Sequence, residues 1–590
     1  MSERTVVVLS RNYSTGLSVI RSLGEAGYTV DLIASALKEG RSLAISKSRY
    51  LRNTVEVVSQ KVDNSEDTDL LNELLAYRDK EPEMPVLIPT DDYTASVMDT
   101  NREALKDIFL MPGIAGGAEK LTTYMDKSIQ CRIAEESGMP APKCWVVSLR
   151  QSPVEIPGDM VYPCFCKPLE SFTGYKQEMA KCNDRDELSA HLEKLAESFS
   201  ERSFLIQEFI SIDNEVDIEG VCLDQDVILP GVVWKSIVAG YERGVPLAGE
   251  FMPFDRFPGL EEKVRELLKR YHYRGMFDLG INLVGDQYYF NEINLRSGGT
   301  NFVYFKSGVN LPDLFVKETL GIPHGKEEEI PVYGKKYFYE KEGYEDLLHD
   351  ILSEETFNEW NEKADIKFFV NEDDPEPGEI FIGEMEKRRQ KKAIREEQRQ
   401  KVMDETGWDR EQTEASMKAV CGQLDIKRKE YVRYRLWDVE PQNLEGEYAA
   451  RKERRERKKQ QRESCVEALC AATGIDRDAA LEKVRDVRAR TGISYKDYEK
   501  YTFWQYAEEE QEEKYQDILK RKEQIRKNRD ACVEAAVQEM GWTREEALEK
   551  IKEARKKTGI SYKDYLNHHF WKVPEEKQQL HYEKLILKKK

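Results

Sequence analysis

GMFDLGINLVGDQYYFNEINLRSGG, residues 275–299, is the stretch whose reading decides the fold. Its two apolar runs, 276–284 and 288–293, are parted by Gly285-Asp286, a turn dipeptide, so they are predicted to be the two strands of a hairpin. Side chains alternate between faces along a strand. Glu292, Asn294 and Arg296 therefore project together from the second strand, while Asp278 lies on the first. Two carboxylates and a carboxamide are hard oxygen ligands suited to Mg²⁺ (or Mn²⁺), and an arginine beside them suits phosphate. A solvated sheet face is the alternative reading of the same residues. The glycine-rich segment that follows favours a metal site.

Upstream, LTTYMDKSIQCRIAEESGMPAPKCWVV (121–147) gives a helix starting near Asp126, a stop at Gly138 and a proline-flanked entry into a strand. Lys127 falls in the first turn of that helix, where a cation works against the macrodipole, so another reason for its presence is expected. YPCFCKPLESFTGYKQEM (162–179) places Lys167 near the end of a strand. A loop with Ser171, Thr173 and Gly174 follows, and its backbone can fold over phosphates. FLIQEFISIDNEVDIEG (204–220) then supplies two strands, the second carrying Glu215 and Asp217. Between these and the hairpin, Lys235, Tyr241, Arg243 and Glu250 of 234–254 are candidates for substrate contact, with a surface hairpin as the equal alternative. Asn301, Tyr304 and Lys306 are similar candidates after the hairpin.

The chain opens with TVVVLSRNYSTGLSVIRSLGEAGYTVDLI (5–33), a strand, a helix and a second strand in βαβ order. The connecting loop is not GxGxxG; Arg11, Asn12 and Ser14 are placed to bind an anion at the helix N-terminus. A strand at 85–89 ends in Thr90-Asp91-Asp92. That is the carboxyl end of a strand, where open α/β sheets bind ligands, and a helix cap fits the residues as well.

The order of these motifs resembles the ATP-grasp superfamily, in particular its carboxylate–amine ligases of the D-alanine–D-alanine ligase type: lysine helix, lysine strand, polar loop, Gln207-Glu208-Phe209-Ile210, acidic strand, then the Asp and Glu-x-Asn hairpin. The resemblance covers roughly 1–382, with specific motifs in 121–299. It implies an α/β fold, with a Rossmann-like pre-grasp domain at 1–110, the ATP-grasp domain at 111–321 and a ligase extension at 322–385. It implies ATP and Mg²⁺ as cofactors. Lys127 and Lys167 would bind phosphates and 171–176 would close over them. Glu208 and the Ile210 backbone would hold adenine, and Glu215 the ribose. Asp278, Glu292 and Asn294 would coordinate Mg²⁺, with Arg296 beside the transferred phosphoryl and acyl groups. The loop SFTGYKQE departs from the pattern in having one glycine, and Asn291 stands where an apolar residue usually precedes Glu292.

The chemistry agrees. A carboxylate is a poor acyl donor, because its leaving group would be oxide; ATP converts it to an acyl phosphate that an amine then attacks. Charge on the transferring phosphoryl group is neutralised electrostatically, so no Ser-His-Asp or Cys-His constellation is needed. Water would hydrolyse the acyl phosphate, which calls for a lid. The expected substrates are a free or carrier-bound carboxylate and an amine. A non-catalytic ATP-binding scaffold that presents the rest of the chain is the rival reading, and the presence of all three metal ligands favours the enzyme.

With 590 residues the chain is several domains long. Neither a membrane span nor a signal peptide is expected, and the ten scattered cysteines fit a reduced, cytoplasmic setting. Cys164 and Cys166 share a strand face and are expected in the core. The net charge of −20 hides a split: residues 1–385 hold 41 basic and 69 acidic side chains, whereas 386–590 hold 50 and 42. The second part is built from repeats. Gly407, Gly474 and Gly541 are 67 residues apart, as are Tyr431, Tyr498 and Tyr565, and Trp437, Trp504 and Trp571. Three copies, at about 398–437, 463–504 and 530–571, read as small all-α units with aromatic cores, joined by charged helical spacers. Such an array suits recruitment of a protein or polymer partner; its interleaved charges argue against nucleic acid.

Overall fold

The computed structural model describes residues 4–11, 13–36, 44–58, 67–77, 83–116, 120–151, 153–169, 178–224, 226–241, 245–324 and 330–589. The chain divides into two compact units, Met1–Ile394 and Arg395–Lys590. Among the described residues no helix is long and apolar enough to cross a membrane.

Among the described residues the first unit is α/β and holds three sheets. Strands β1 (Thr5–Ser10), β2 (Thr29–Ala36), β3 (Leu51–Val58) and β4 (Val86–Pro89) form a parallel sheet in the order β3-β2-β1-β4. Val6, Val7, Val8 and Leu9 have no exposed surface, which is why this strand reads as an unbroken apolar run rather than an alternating one. The helix Tyr13–Glu25 connects β1 to β2, as the βαβ pattern predicts.

The remaining strands are β5 (Gly113–Ile114), β6 (Cys144–Ser148), β7 (Cys164–Pro168), β8 (Ala180–Cys182), β9 (Ser203–Glu208), β10 (Asn214–Cys222), β11 (Val227–Ile228), β12 (Val232–Val238), β13 (Pro246–Met252), β14 (Tyr273–Val284), β15 (Gln287–Asn294), β16 (Lys336–Phe338) and β17 (Ile366–Lys367). An antiparallel sheet, β6-β9-β7-β8, carries Lys167. The large sheet runs β15-β14-β10-β12-β13-β16-β17, with β5 on β14 and β11 on β10. The helix Lys127–Glu136 bridges the two. Gln130 clamps the backbone of β15, its Nε2 donating to the Ile293 carbonyl at 2.8 Å and its Oε1 accepting from the Ile293 N–H at 3.3 Å. The Lys127 N–H donates to the Leu169 carbonyl at the end of β7, 3.0 Å away.

The sequence DDPEPGEIFI, residues 373–382, reads from its prolines as a terminal turn at 373–377, but the chain instead enters the helix Pro375–Thr406. Asn371 turns the chain into it, its Oδ1 accepting from the Asp373 and Asp374 N–H groups at 2.9 and 3.1 Å. The prolines lie in the first turn, where no N–H is required of them.

In the second unit, each predicted spacer and the short helix after it form one helix: Leu444–Thr473 and Gln511–Met540. Gly474 and Gly541 end them at φ 74° and 70°. Helices Arg477–Thr491 and Tyr495–Lys500 complete the second copy, and Arg544–Thr558 and Tyr562–Asn567 the third. Tyr431, Tyr498 and Tyr565 are buried in three separate cores. Each core is closed by the start of the following helix, through Leu444, Ile518 with Tyr515, and Tyr582 with Leu585.

Candidate active site

The hairpin β14–β15 forms as predicted, with Gly285 at φ 56° in the turn. Asp278 pairs with Asn294, Gly280 with Glu292 and Ile281 with Phe290, so Asn291 is the extra residue of a β-bulge. The bulge has a purpose that strict alternation could not serve. Phe290 and Ile293, three apart, both enter the core at 0% and 1% exposure, while Glu292, Asn294 and Arg296 share the other face.

On that face Arg296 donates through Nε to Asp92 Oδ1 (3.1 Å) and through Nη1 to Asp278 Oδ2 (2.9 Å). Asn294 Nδ2 donates to the same Asp278 oxygen at 3.2 Å. Burial pulls the Arg296 pKa down, but Asp92 and Asp278 more than offset it and hold the guanidinium above its ordinary value. Asp278 faces Glu219 of β10 across the strands. Glu219 accepts from the Gly298 N–H (2.9 Å) and from Thr300 Oγ1 (2.7 Å), and burial, reinforced by Asp278, pushes its carboxyl up to about 8. A Cβ at Gly298 would lie 2.4 Å from Glu219 Oε1 and 2.6 Å from Asp278 Cγ, so only glycine fits. Two residues back along β10, burial raises Asp217 to about 7 against the pull of Lys235, whose Nζ lies 2.8 Å from Asp217 and 2.6 Å from Glu215.

Lys127 and Lys167 lie close enough for their charges to act on each other and on Glu292 of the hairpin. They are 6% and 7% exposed, and among the described residues neither ammonium has a hydrogen bond or ion pair. Burial lowers the Lys167 pKa and the Lys127 charge lowers it further, while Glu292 opposes both. Burial would raise Glu292, but Lys127 and Lys167 outweigh it and hold that carboxyl below its ordinary range. Two buried cations thus share one carboxylate, which leaves positive charge for an anion to neutralise.

Glu208 ends β9, its N–H donating to the Lys143 carbonyl at 2.8 Å, with Phe209 exposed beyond it. Ser171, Thr173, Gly174, Asn12 and Arg243 lie outside the described residues. Asp91 caps the helix Asp92–Thr100 through the Thr94 N–H (2.9 Å), so the cap reading of 90–92 holds for Asp91 while Asp92 turns to Arg296. Tyr241 stacks on His349 with ring centroids 3.5 Å apart. Asn301, Tyr304 and Lys306 serve the fold: Asn301 binds Ser18, the Tyr304 hydroxyl takes the Glu219 N–H, and Lys306 pairs with Glu25. Cys164 and Cys166 are in the core. Glu219 and Gly298 escaped sequence reading, although the alternation Glu215-x-Asp217-x-Glu219 on one strand was a signal for a shared acidic face. Among the described residues no group of three or more His, Cys, Asp or Glu side chains is arranged to hold a metal. A metal here would rest on Asp278, Glu292 and the Asn294 amide.

No family model matches the chain. It is 22% identical over 218 residues, 36% of its length, to the carbamoyl phosphate synthase large chain of Lachnoclostridium phytofermentans, and covers 20% of that protein. To the same enzyme chain of Streptomyces coelicolor it is 25% identical over 206 residues, 34% of this chain and 18% of that one. The chain thus spans about a fifth of the length of these curated relatives. Among solved structures it is similar to an L-amino acid ligase from Bacillus licheniformis, with TM-score 0.43 and 14% identity over 57% of this chain and 80% of that one. It is also similar to a biotin carboxylase from Campylobacter jejuni, with TM-score 0.44 and 16% identity over 56% of this chain and 73% of that one.

Proposed function

We propose that this protein binds ATP and Mg²⁺, activates a carboxylate as an acyl phosphate and joins it to an amine. The observation that carries the reading is the pair of buried lysines, Lys127 and Lys167, which act together on Glu292 and, among the described residues, have no hydrogen bond or ion pair, so that an anion would be welcome there. In this reading the two ammonium groups take the phosphates, Glu208 and the Ile210 backbone receive adenine, and Glu215, steadied by Lys235, faces the ribose. Ser171, Thr173 and Gly174 belong to the lid that keeps water out. Arg296, held rigid by Asp92 and Asp278, waits beside the reacting acyl group, where a fixed cation stabilises developing negative charge without reorganising. The donor set of two carboxylates and a carboxamide fits Mg²⁺ or Mn²⁺, and Asp278, Glu292 and Asn294 would hold it. When bound, the metal supplies charge neutralisation on phosphoryl oxygens.

The test is ADP release, assayed with pairs of acids and amines. Wild-type protein should release ADP only when both are present. Glu292→Gln should abolish release while leaving the fold intact by circular dichroism; turnover near that of the parent would refute the assignment. We assign 1–110 as the pre-grasp domain, 111–321 as the catalytic domain and 322–385 as its extension, with the repeats of 386–590 recruiting a protein or polymer that carries or neighbours the substrate.

A further inference from the structure

We propose that Arg11 receives a second carboxylate of the acid substrate, so that the enzyme acts on dicarboxylic acids rather than simple monocarboxylic ones. This rests on the ligase reading above and adds the class of acid to it. Arg11 follows β1 directly, and Asp91 and Asp92 follow β4; Leu9 pairs with Pro89, so these residues meet at the carboxyl edge of the parallel sheet, where open α/β sheets bind ligands. The Arg11 N–H donates to Asp91 Oδ2 at 2.7 Å, and its guanidinium lies 4.1 Å above the Tyr93 ring. That stacking fixes the plane of the guanidinium.

What the guanidinium lacks is an acceptor. Arg11 Nη2 is buried and has no hydrogen-bond partner among the described residues. Asp91 does not supply one. Asp91 spends its oxygens on the Arg11 and Thr94 N–H groups, and the Tyr93 hydroxyl is spent on Asp67, 2.9 Å away. A buried charged donor without an acceptor is costly, and a ligand oxygen would relieve it. The next residue, Asp92, holds Arg296. Consecutive aspartates at one helix start therefore hold two arginines, Asp92 through the Arg296 guanidinium and Asp91 through the Arg11 backbone N–H, which leaves Arg11 Nη2 open. A planar arginine fork matches a carboxylate with two parallel hydrogen bonds. A monocarboxylate would leave Arg11 unsatisfied, so selectivity follows from the penalty as well as from the contact.

Calorimetric titration of the full chain with succinate, glutarate, butyrate and O-phosphoserine, without turnover, tests this. Succinate or glutarate should bind at least about tenfold more tightly than butyrate, a difference of about 1.4 kcal/mol. Arg11→Gln should erase that preference while ATP affinity stays at the parent value. Arg11→Lys, which keeps the charge but not the fork, should lie between. Equal affinity for butyrate and the dicarboxylates in the parent, or an unchanged preference in either variant that still binds ATP, would overturn the proposal. Arg11-dependent binding of O-phosphoserine alone would overturn it too, by assigning the position to phosphate. Because binding is read without ADP release, a chain that selects dicarboxylates through Arg11 but never hydrolyses ATP would sink the ligase reading and leave this one standing.

Discussion

Lys167→Met keeps the apolar stem of the side chain and removes its charge, which separates binding from folding at this position. The buried ammonium repels Lys127 and suffers desolvation, so the unliganded variant should be as stable as the parent or up to about 2 kcal/mol more stable. Its ATP affinity should fall at least tenfold, and the rise in melting temperature that ATP gives the parent should largely vanish. Thermal melts with and without ATP read both effects. Gly298→Ala should act in the opposite sense. Its methyl group would meet Glu219 and Asp278, costing about 1–3 kcal/mol of stability along with activity, as denaturant unfolding would show. The two lysines stand out in the sequence because their order along the chain is distinctive. Glu219 was not, since a carboxyl pushed up to about 8 owes its state to burial and to Asp278 across the sheet, and neither is local in sequence.

At the scale of elements, the hairpin was legible from its turn dipeptide and apolar runs, but the bulge at Asn291 was not. Only the register against Gly280 and Ile281 reveals that two residues oppose one. The helix Pro375–Thr406 was misread because its two prolines look like a turn, although the first turn of a helix accepts them. The spacers were read as separate from the helices they continue, because polar sequence carries no packing signal across the join. The first repeat, diverged in sequence, keeps the geometry: Asp425 takes φ 48° where Gly492 and Gly559 take 74° and 75°. This repeat carries an ion cluster with a definite pH dependence. The Arg428 hydrogen bonds, with Arg399, hold Glu414 down to about 2. A carboxyl depressed in the folded state contributes stability above its unfolded value of about 4.5, and that contribution drains away as pH falls toward about 2. Glu414→Gln should cost about 1 kcal/mol at neutral pH and flatten the decline between those limits. Melting the fragment 395–590 and its variant across that range would show it, and parallel pH curves would contradict it.

For the whole molecule, the charge split announced two different parts, and the structure divides the chain at Ile394, nine residues beyond the boundary drawn from composition at 385. Composition cannot place such a boundary inside a continuous helix. What the repeats bind is not written in them, because their aromatic residues are consumed by their own cores. Deleting 395–590 should leave kcat/KM for a small free substrate within about twofold of the parent, while action on a carrier-bound substrate should fall tenfold or more through lost effective concentration. Equal loss on both substrates would show that the repeats serve the catalytic unit itself. The central claim, that ATP is spent on making an acyl phosphate, is tested most directly by isotope transfer. Acids labelled with ¹⁸O in the carboxylate are offered with ATP and amines, and the phosphate released is analysed by mass. One labelled oxygen per ADP should appear in inorganic phosphate. ADP release without label in the phosphate, or AMP in place of ADP, would contradict it.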